Sequence, residues 1–398
     1  MLTSLALVFL VGLSFAAICE KIRLPRIIGM LLTGILLGPY VLNLLDPSIL
    51  SISSDLRQMA LVIILIKAGL SLNWNDLKKV GRPAILMSFL PAIFEIVAFI
   101  IFAPSILHIS HLESALTGAV LAAVSPAVVV PRMVSLIEEG YGTDKGIPQM
   151  ILAGASVDDV FVIIIFTALV DMVQGKNSGF TGLIDIPIAI ITGIVLGCIA
   201  GILLAYFFET NYSHKHLVRN SVKVIIILGT SFLLLAVEDW LEGKIAISGL
   251  LAVMSMAMVI AAKSIPKVTA RLQAKFGKLW IAAEVILFVL VGAAVNIRYT
   301  MEAGIGAVLM IFVGLLFRSA GVFLSTIGTG FTAKERLYCI IAYMPKATVQ
   351  AAIGAIPLSL GLSCGNMVLS VAVLSILITA PLGAIGMDLS YRKLLEKK

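Results

Sequence analysis

Apolar stretches separated by short polar connections recur along the whole chain. Crossing about 30 Å of hydrocarbon takes about 20 helical residues at 1.5 Å each. The stretches predict thirteen transmembrane helices, at residues 2–19, 26–44, 56–73, 84–104, 112–134, 147–173, 184–208, 219–237, 245–262, 278–296, 302–325, 335–358 and 364–387, with 388–398 as a short basic tail. The fold class expected is an all-α polytopic membrane protein. The first stretch reads as a retained span, because no Lys or Arg precedes it and Ile18, not a small residue, stands before Cys19.

Composition agrees with that pattern. The 398 residues are 60% hydrophobic and 13% charged, with mean hydropathy +1.10, against about 45–50% apolar and about 25% charged in soluble domains. The net charge of +7 is spread along the chain and not gathered on one amphipathic segment, so the partner it implies is a lipid bilayer and not nucleic acid. Between spans, only Arg57, Lys176, Lys244 and Arg298 fall on one side, while twenty-two basic residues fall on the other. By the positive-inside rule the N-terminus is expected outside and the C-terminus in the cytoplasm, and the location expected is the plasma membrane. The four cysteines lie in or beside apolar segments without metal-ligand spacing. No Gly-x-x-x-x-Gly-Lys-Ser/Thr loop is present to drive transport with ATP, and no enzyme activity or cofactor is expected.

Thirteen spans divide as six, one and six, and the intervening helix turns the second six upside down relative to the first. Inverted-repeat transporters are built this way. The reading makes residues 1–173 the first repeat, 184–208 a linker helix and 219–387 the second repeat. Proline positions support it. Span 5 carries Pro126 and Pro131 in mid-helix, and span 12 carries Pro345, Gly354 and Pro357. Pro126 and Pro345 stand 219 positions apart in spans that are repeat mates. Interior proline removes a backbone hydrogen bond, and unwound backbone at this depth is tolerated only within protein or beside a water-filled cavity. Two broken helices crossing at mid-membrane are therefore predicted.

Seven charged residues fall deep inside spans, six or more positions from either end: Lys67, Glu95, Asp158, Asp159, Glu284, Arg318 and Lys346. Each costs about 2.5–3.5 kcal/mol on insertion scales and needs a partner or a function. Glu95 and Arg318 are repeat mates of opposite sign, as are Lys67 and Glu284, and each couple is expected to neutralise itself. A charge-swapped Glu95/Arg318 double variant should then recover the stability lost in either single one. Asp158 and Asp159 differ: two like charges side by side at the centre of span 6 do not stabilise a helix. Their side chains leave the helix about 100° apart and meet different neighbours. A carboxylate there that holds either a proton or a hard cation is a minimal exchange site. Oxygen neighbours are expected from Ser156, from Ser125 and from carbonyls freed at the span 5 break. Lys346, just after the span 12 break, is placed to offset the negative ends of half-helices.

Gly154-Ala-Ser-Val-Asp-Asp159, Ser125-Pro-Ala-Val-Val-Val-Pro131 and Met344-Pro-Lys-Ala-Thr-Val-Gln350 together resemble the monovalent cation/proton antiporter superfamily, and are most similar to its NHA-type sodium/proton exchangers. The resemblance runs from Leu24-Pro-Arg-Ile-Ile-Gly-Met-Leu-Leu-Thr-Gly34 to span 13. It implies a homodimer whose mobile core carries the two crossed helices and moves as an elevator. It further implies that Asp159 alternately binds H⁺ and Na⁺ or Li⁺, that Asp158 assists, and that Glu95 and Arg318 form an ion pair. Exchange of K⁺ for H⁺ on the same scaffold is the alternative. Electrogenic relatives carry a lysine in span 10 that bonds the first aspartate; this chain has Glu284 there instead. That leaves Lys346 or Arg318 for the role, and leaves the stoichiometry open.

Two other classes fit less well. An intramembrane aspartyl protease needs its two carboxylates on facing helices, whereas these are adjacent on one. A cation channel needs a continuous pore, and nothing in the sequence reads as a selectivity filter.

Overall fold

The computed structural model describes residues 1–22, 24–71, 81–175, 180–213, 219–241 and 247–397. Arg23, Lys78, Lys79, Lys176, Lys215, Lys244 and Lys398, used above for orientation, lie outside them, as do the side chains of Arg298 and Ser156. Every regular element described is helical: α1 (Leu2–Lys21), α2 (Arg26–Leu37), α3 (Pro47–Ser51), α4 (Ser53–Ser71), α5 (Arg82–Met87), α6 (Leu90–Leu107), α7 (His111–Leu121), α8 (Pro126–Glu139), α9 (Ile147–Val173), α10 (Phe180–Ser213), α11 (Asn220–Leu241), α12 (Gly249–Lys263), α13 (Pro266–Ala293), α14 (Ile297–Ser325), α15 (Ala333–Ala342), α16 (Thr348–Gly354), α17 (Ile356–Ser359) and α18 (Gly365–Leu394).

Among the described residues nine helical segments are long and apolar enough to cross a membrane, and the shorter apolar helices Arg26–Leu37, Gly249–Lys263 and Thr348–Ser359 accompany them. The protein is thus a multi-pass membrane protein, in which several of the expected spans are shorter or divided. Local chemistry explains the departures. Helix α2 stops after 12 residues with Gly38 extended, because Pro39 excludes the helical conformation from the residue before it. The fourth expected span divides into α5 and α6 around Ser88 and Phe89, since Pro91 has no N–H to return to the Met87 carbonyl.

The chain divides into two compact units, one of Met1–Ser54, Asn73–Leu169 and Val285–Lys398, the other of Asp55–Leu72 and Val170–Glu284. Within the second unit α10 runs along α12, and the reason is a stripe of glycines. A Cβ added at Gly193, Gly197 or Gly201 would meet the carbonyl of Ser248, Ala252 or Met256 within 2.8 Å. Small residues four apart let the two backbones touch, which is how helices associate where lipid removes the hydrophobic incentive. Also in this unit, the Lys67 ammonium lies 5.8 Å from the Trp280 ring centroid and within electrostatic range of Glu284.

In the first unit α6 lies along both α14 and α7, and α18 packs on α14 and α15. The last turns of α13 cross α2 closely, with Gly34 against the Val289 carbonyl and Gly292 against that of Leu31. After α18 the chain returns to the α8–α9 connection, where the Gly142 N–H donates to the Glu396 carbonyl at 2.8 Å. Beside it Lys145 Nζ sits 2.9 Å from Glu335 Oε1 and 3.8 Å from Glu396 Oε2.

Candidate ion-binding site at two helix breaks

The first break lies between α7 and α8, where residues 122–125 leave the helical conformation. Pro126 opens α8, a position whose N–H would have been unpaired in any case. Pro131, expected to take part in the break, lies inside α8 instead. Its ring removes only the bond back to Ala127, and the helix continues, with Arg132 Nη1 donating to the Val128 carbonyl at 2.9 Å. The second break spans residues 343–347 and contains Pro345. Gly354 and Pro357 mark a smaller joint, where α16 ends and α17 begins.

Buried backbone groups without partners are costly away from water, so their hydrogen bonds can be accounted for one by one. At the first break the Leu121 carbonyl accepts from Lys346 Nζ at 2.5 Å and from Gln350 Nε2 at 3.3 Å. The Ala122 carbonyl accepts from Arg318 Nη1, and that of Ala123 from Gln350 Nε2 at 2.8 Å. The Val124 N–H donates to Asp158 Oδ2 at 2.7 Å. The Ser125 N–H donates to the Pro345 carbonyl at 2.8 Å, tying the two breaks together. At the second break the Tyr343 carbonyl accepts from Arg318 Nε at 2.7 Å. The Lys346 N–H donates to Thr379 Oγ1 at 2.9 Å, and the Ala347 N–H to Gln350 Oε1 at 2.7 Å.

The charges follow the same frame. Glu95 on α6 holds both cations. Arg318 Nη1 is 3.1 Å from its Oε2, while Lys346 Nζ is 2.6 Å from Oε1 and 2.8 Å from Oε2. Arg318 also reaches α9, with Nη2 3.1 Å from Asp158 Oδ2. One guanidinium therefore serves two carboxylates and two carbonyls, a use of its planar fork that lysine cannot reproduce. Arg318, not a span 10 lysine, bonds the first aspartate.

Asp159 is placed differently. Its side chain is 7% exposed against 0% for Asp158, and its Oδ1 has no hydrogen-bond partner among the described residues. The 100° turn between neighbours on α9 explains the contrast: Asp158 faces the Arg318 fork and Asp159 faces away from it. The cluster of Glu95, Asp158, Asp159, Arg318 and Lys346 holds three carboxylates and two cations. One negative charge is left over, and burial makes that expensive unless something positive joins it. The Ser125 hydroxyl is likewise buried without a partner.

Several participants were not assigned from sequence. Gln350 lies in a stretch already singled out, yet only the folded chain shows it bridging both breaks. Thr379 and the Val124 N–H carried no sequence signal. Among the described residues no three His, Cys, Asp or Glu side chains converge as a metal centre.

An all-helical membrane protein with two broken helices meeting over a buried charge cluster belongs to the class of antiporter-like transporter folds. The chain superposes on the sodium proton antiporter MjNhaP1 from Methanocaldococcus jannaschii with a TM-score of 0.83 at 22% identity, covering 99% of this chain and 98% of that one. Residues 5–387 match the family described as "Sodium/hydrogen exchanger, transmembrane". Among similar proteins, human sodium/hydrogen exchanger 9B2 is 33% identical over 384 residues, covering 94% of this chain and 70% of that protein. Human sodium/hydrogen exchanger 9B1 is 32% identical over 388 residues, 94% of this chain and 73% of the relative. The chain belongs to the sodium/hydrogen exchanger family.

Proposed function

We propose that this protein exchanges Na⁺, or Li⁺, for H⁺ across the plasma membrane, with Asp159 as the carboxylate that the two ions share. The observation that carries the reading is the inequality of the aspartates. Among the described residues Asp158 is held through Oδ2 by Arg318 and the Val124 N–H, whereas neither cation of the cluster bonds Asp159, whose Oδ1 is buried without a partner. A proton or a monovalent cation on Asp159 supplies the one charge the cluster lacks. Both cannot occupy it together, so release of one permits binding of the other. Ser125 and, on the same helix as Asp159, Ser156 are the proposed oxygen neighbours of the cation. Because Asp158 is already neutralised by Arg318, one carboxylate remains for exchange, and the expected ratio is one H⁺ for one cation. Sodium is preferred over potassium on the names of the relatives.

The wider reading extends the same way. The two broken helices belong to a core that carries Asp159 between the two sides by an elevator motion, within a homodimer of inverted repeats, N-terminus outside and C-terminus cytoplasmic. No enzymatic step or cofactor is part of the cycle. Exchange in proteoliposomes with Na⁺, Li⁺ and K⁺ in parallel tests it. Asp159→Asn is expected to abolish exchange, and near wild-type exchange by that variant would remove Asp159 from the mechanism. A membrane-potential dye should stay silent during turnover; a potential built by exchange would overturn the one-for-one ratio.

A further inference from the structure

Tyr343 is completely buried, yet its phenolic oxygen has no hydrogen-bond partner among the described residues. Buried phenols ordinarily find one. The hydroxyl lies against Gly154 of α9, so close that a Cβ at that position would collide with it, and Met87 and the Ala84 carbonyl of α5 close around the same spot. One turn further along α9 comes Asp158, four residues on and therefore on the same face, with its side chain leaning back over the preceding turn. The Asp158 Oδ1 oxygen is also unpartnered. The Arg318 guanidinium that holds Asp158 stands over the Tyr343 ring, 5.5 Å from its centroid, and bonds the Tyr343 carbonyl.

On the other side of Gly154 the same face of α9 reaches a cavity. Met150, four residues earlier, lines a space of about 330 Å³ with Pro83, Lys145, Thr329, Gly330 and Phe331. Met150, Gly154 and Asp158 thus form one line along α9, faced by Pro83, Ala84 and Met87 of α5. The cavity is at one end, the aspartate pair at the other, and the phenol stands between. Glycine at 154 is what lets an oxygen occupy that point. The place is small, with the Tyr343 hydroxyl and the Ala84 carbonyl as its polar atoms and Met87 beside them.

We infer that the Tyr343 hydroxyl is a gate between this cavity and the aspartate pair: it passes water-borne protons by hydrogen bonding and blocks free passage when closed. This rests on the exchange reading above, and puts the Tyr343 hydroxyl on the path of the exchanged proton. In the passing state the hydroxyl takes a proton from a hydronium on the cavity side and gives its own to Asp158 Oδ1, which hands it on to Asp159, so that the phenol and Asp158 both end unchanged.

Two substitutions test it in proteoliposomes against wild type. Tyr343→Phe keeps the ring and removes the oxygen. Its maximal exchange rate should fall about tenfold, the rate equivalent of one lost hydrogen bond, with the Na⁺ KM and the thermal midpoint near wild type. Tyr343→Ala opens the line, and should let an imposed pH gradient decay without Na⁺, a leak that a merely structural residue would not control. If wild type exchanges while Tyr343→Phe matches its rate and Tyr343→Ala adds no leak, the gate is overturned and the exchange reading stands. If wild type shows no exchange, it is the exchange reading that fails. Should Tyr343→Ala fail to fold, the rate of Tyr343→Phe decides alone. A Gly154→Ala variant checks the geometry: its loss of thermal stability should be partly restored by adding Tyr343→Phe, and no restoration would place the hydroxyl elsewhere.

Discussion

The two helix breaks occupy matching places in the sequence but are satisfied in different ways. The first, at residues 122–125, receives help: its carbonyls are met by Arg318, Lys346 and Gln350, and its Val124 N–H by Asp158. The second, at residues 343–347, also gives help, since Lys346 lies within it and Gln350 in the helix just after, while Arg318 and Thr379 meet its own Tyr343 carbonyl and Lys346 N–H. A proline can open either helix, but opened backbone is tolerable in a membrane only where other polar groups meet it. The asymmetry of those side chains leaves Asp158 held through Oδ2 by Arg318 and the Val124 N–H, and Asp159 bonded to neither cation.

The hardest test of that contrast is Arg318→Met. It would strand Glu95 and Asp158 together with the Ala122 and Tyr343 carbonyls, and breaking a buried ion pair by removing one member costs about 3–5 kcal/mol. Unfolding in detergent should show the largest loss of any substitution considered. The structure also changes what a charge swap does. Had Glu95 and Arg318 formed an isolated pair, exchanging them would restore stability. Arg318→Glu, however, places a carboxylate beside Asp158 and two carbonyl oxygens, so the swapped double variant should stay as unstable as the single one. Full recovery would show that the contact with Asp158 contributes nothing.

Gln350→Leu comes next. It removes the amide that links Leu121, Ala123 and Ala347; Leu121 keeps Lys346, but the Ala123 carbonyl and the Ala347 N–H are left unpaired, one at each break, for about 2–3 kcal/mol. Thr379→Val touches only the second break, by unpairing the Lys346 N–H, and should cost about 1 kcal/mol. If Thr379→Val proved the more damaging of the two, the first break would not depend on the second as described.

These partners mark where the sequence stopped being legible. Span periodicity, prolines and intramembrane charges reveal a helical membrane protein with paired breaks, because each is a local feature with a large energetic consequence. The pairing of Glu95 with Arg318 could be read as well, since two isolated opposite charges in lipid have few other partners. The length of individual helices could not: α2 ends early at Gly38, and Pro131 is absorbed into α8, because local backbone geometry and not hydropathy decides these points. Nor could the sharing of Arg318 be read, since which of several carboxylates meets a guanidinium depends on ångström-scale crossing of α6, α9 and α14. Gln350 and Thr379 are ordinary polar residues until the chain folds around the breaks.

The smallest effect should come from a lysine in the opposite situation to Lys346. Lys145 also binds a glutamate, at 2.9 Å from Glu335 Oε1, but its side chain is 32% exposed. Water reaches the ammonium, and the buried Glu335 carboxylate keeps the Thr332 N–H at 2.7 Å when Lys145 is gone, so the loss is small. Hydrogen bonding to Glu335 holds the Lys145 ammonium above the ordinary lysine range. A raised folded value means the contribution is fully present below the unfolded lysine value of about 10.4, and is lost as pH rises through the folded one. Lys145→Met should therefore lower the thermal midpoint slightly, and by a constant amount between about pH 6 and pH 8, where neither member of the pair titrates. Lys346→Met, with no water to turn to, should lower it far more. Equal losses in the two variants would mean that burial of Lys346 adds nothing to the cost of removing it, and the contrast between helped and helping breaks would lose its energetic basis.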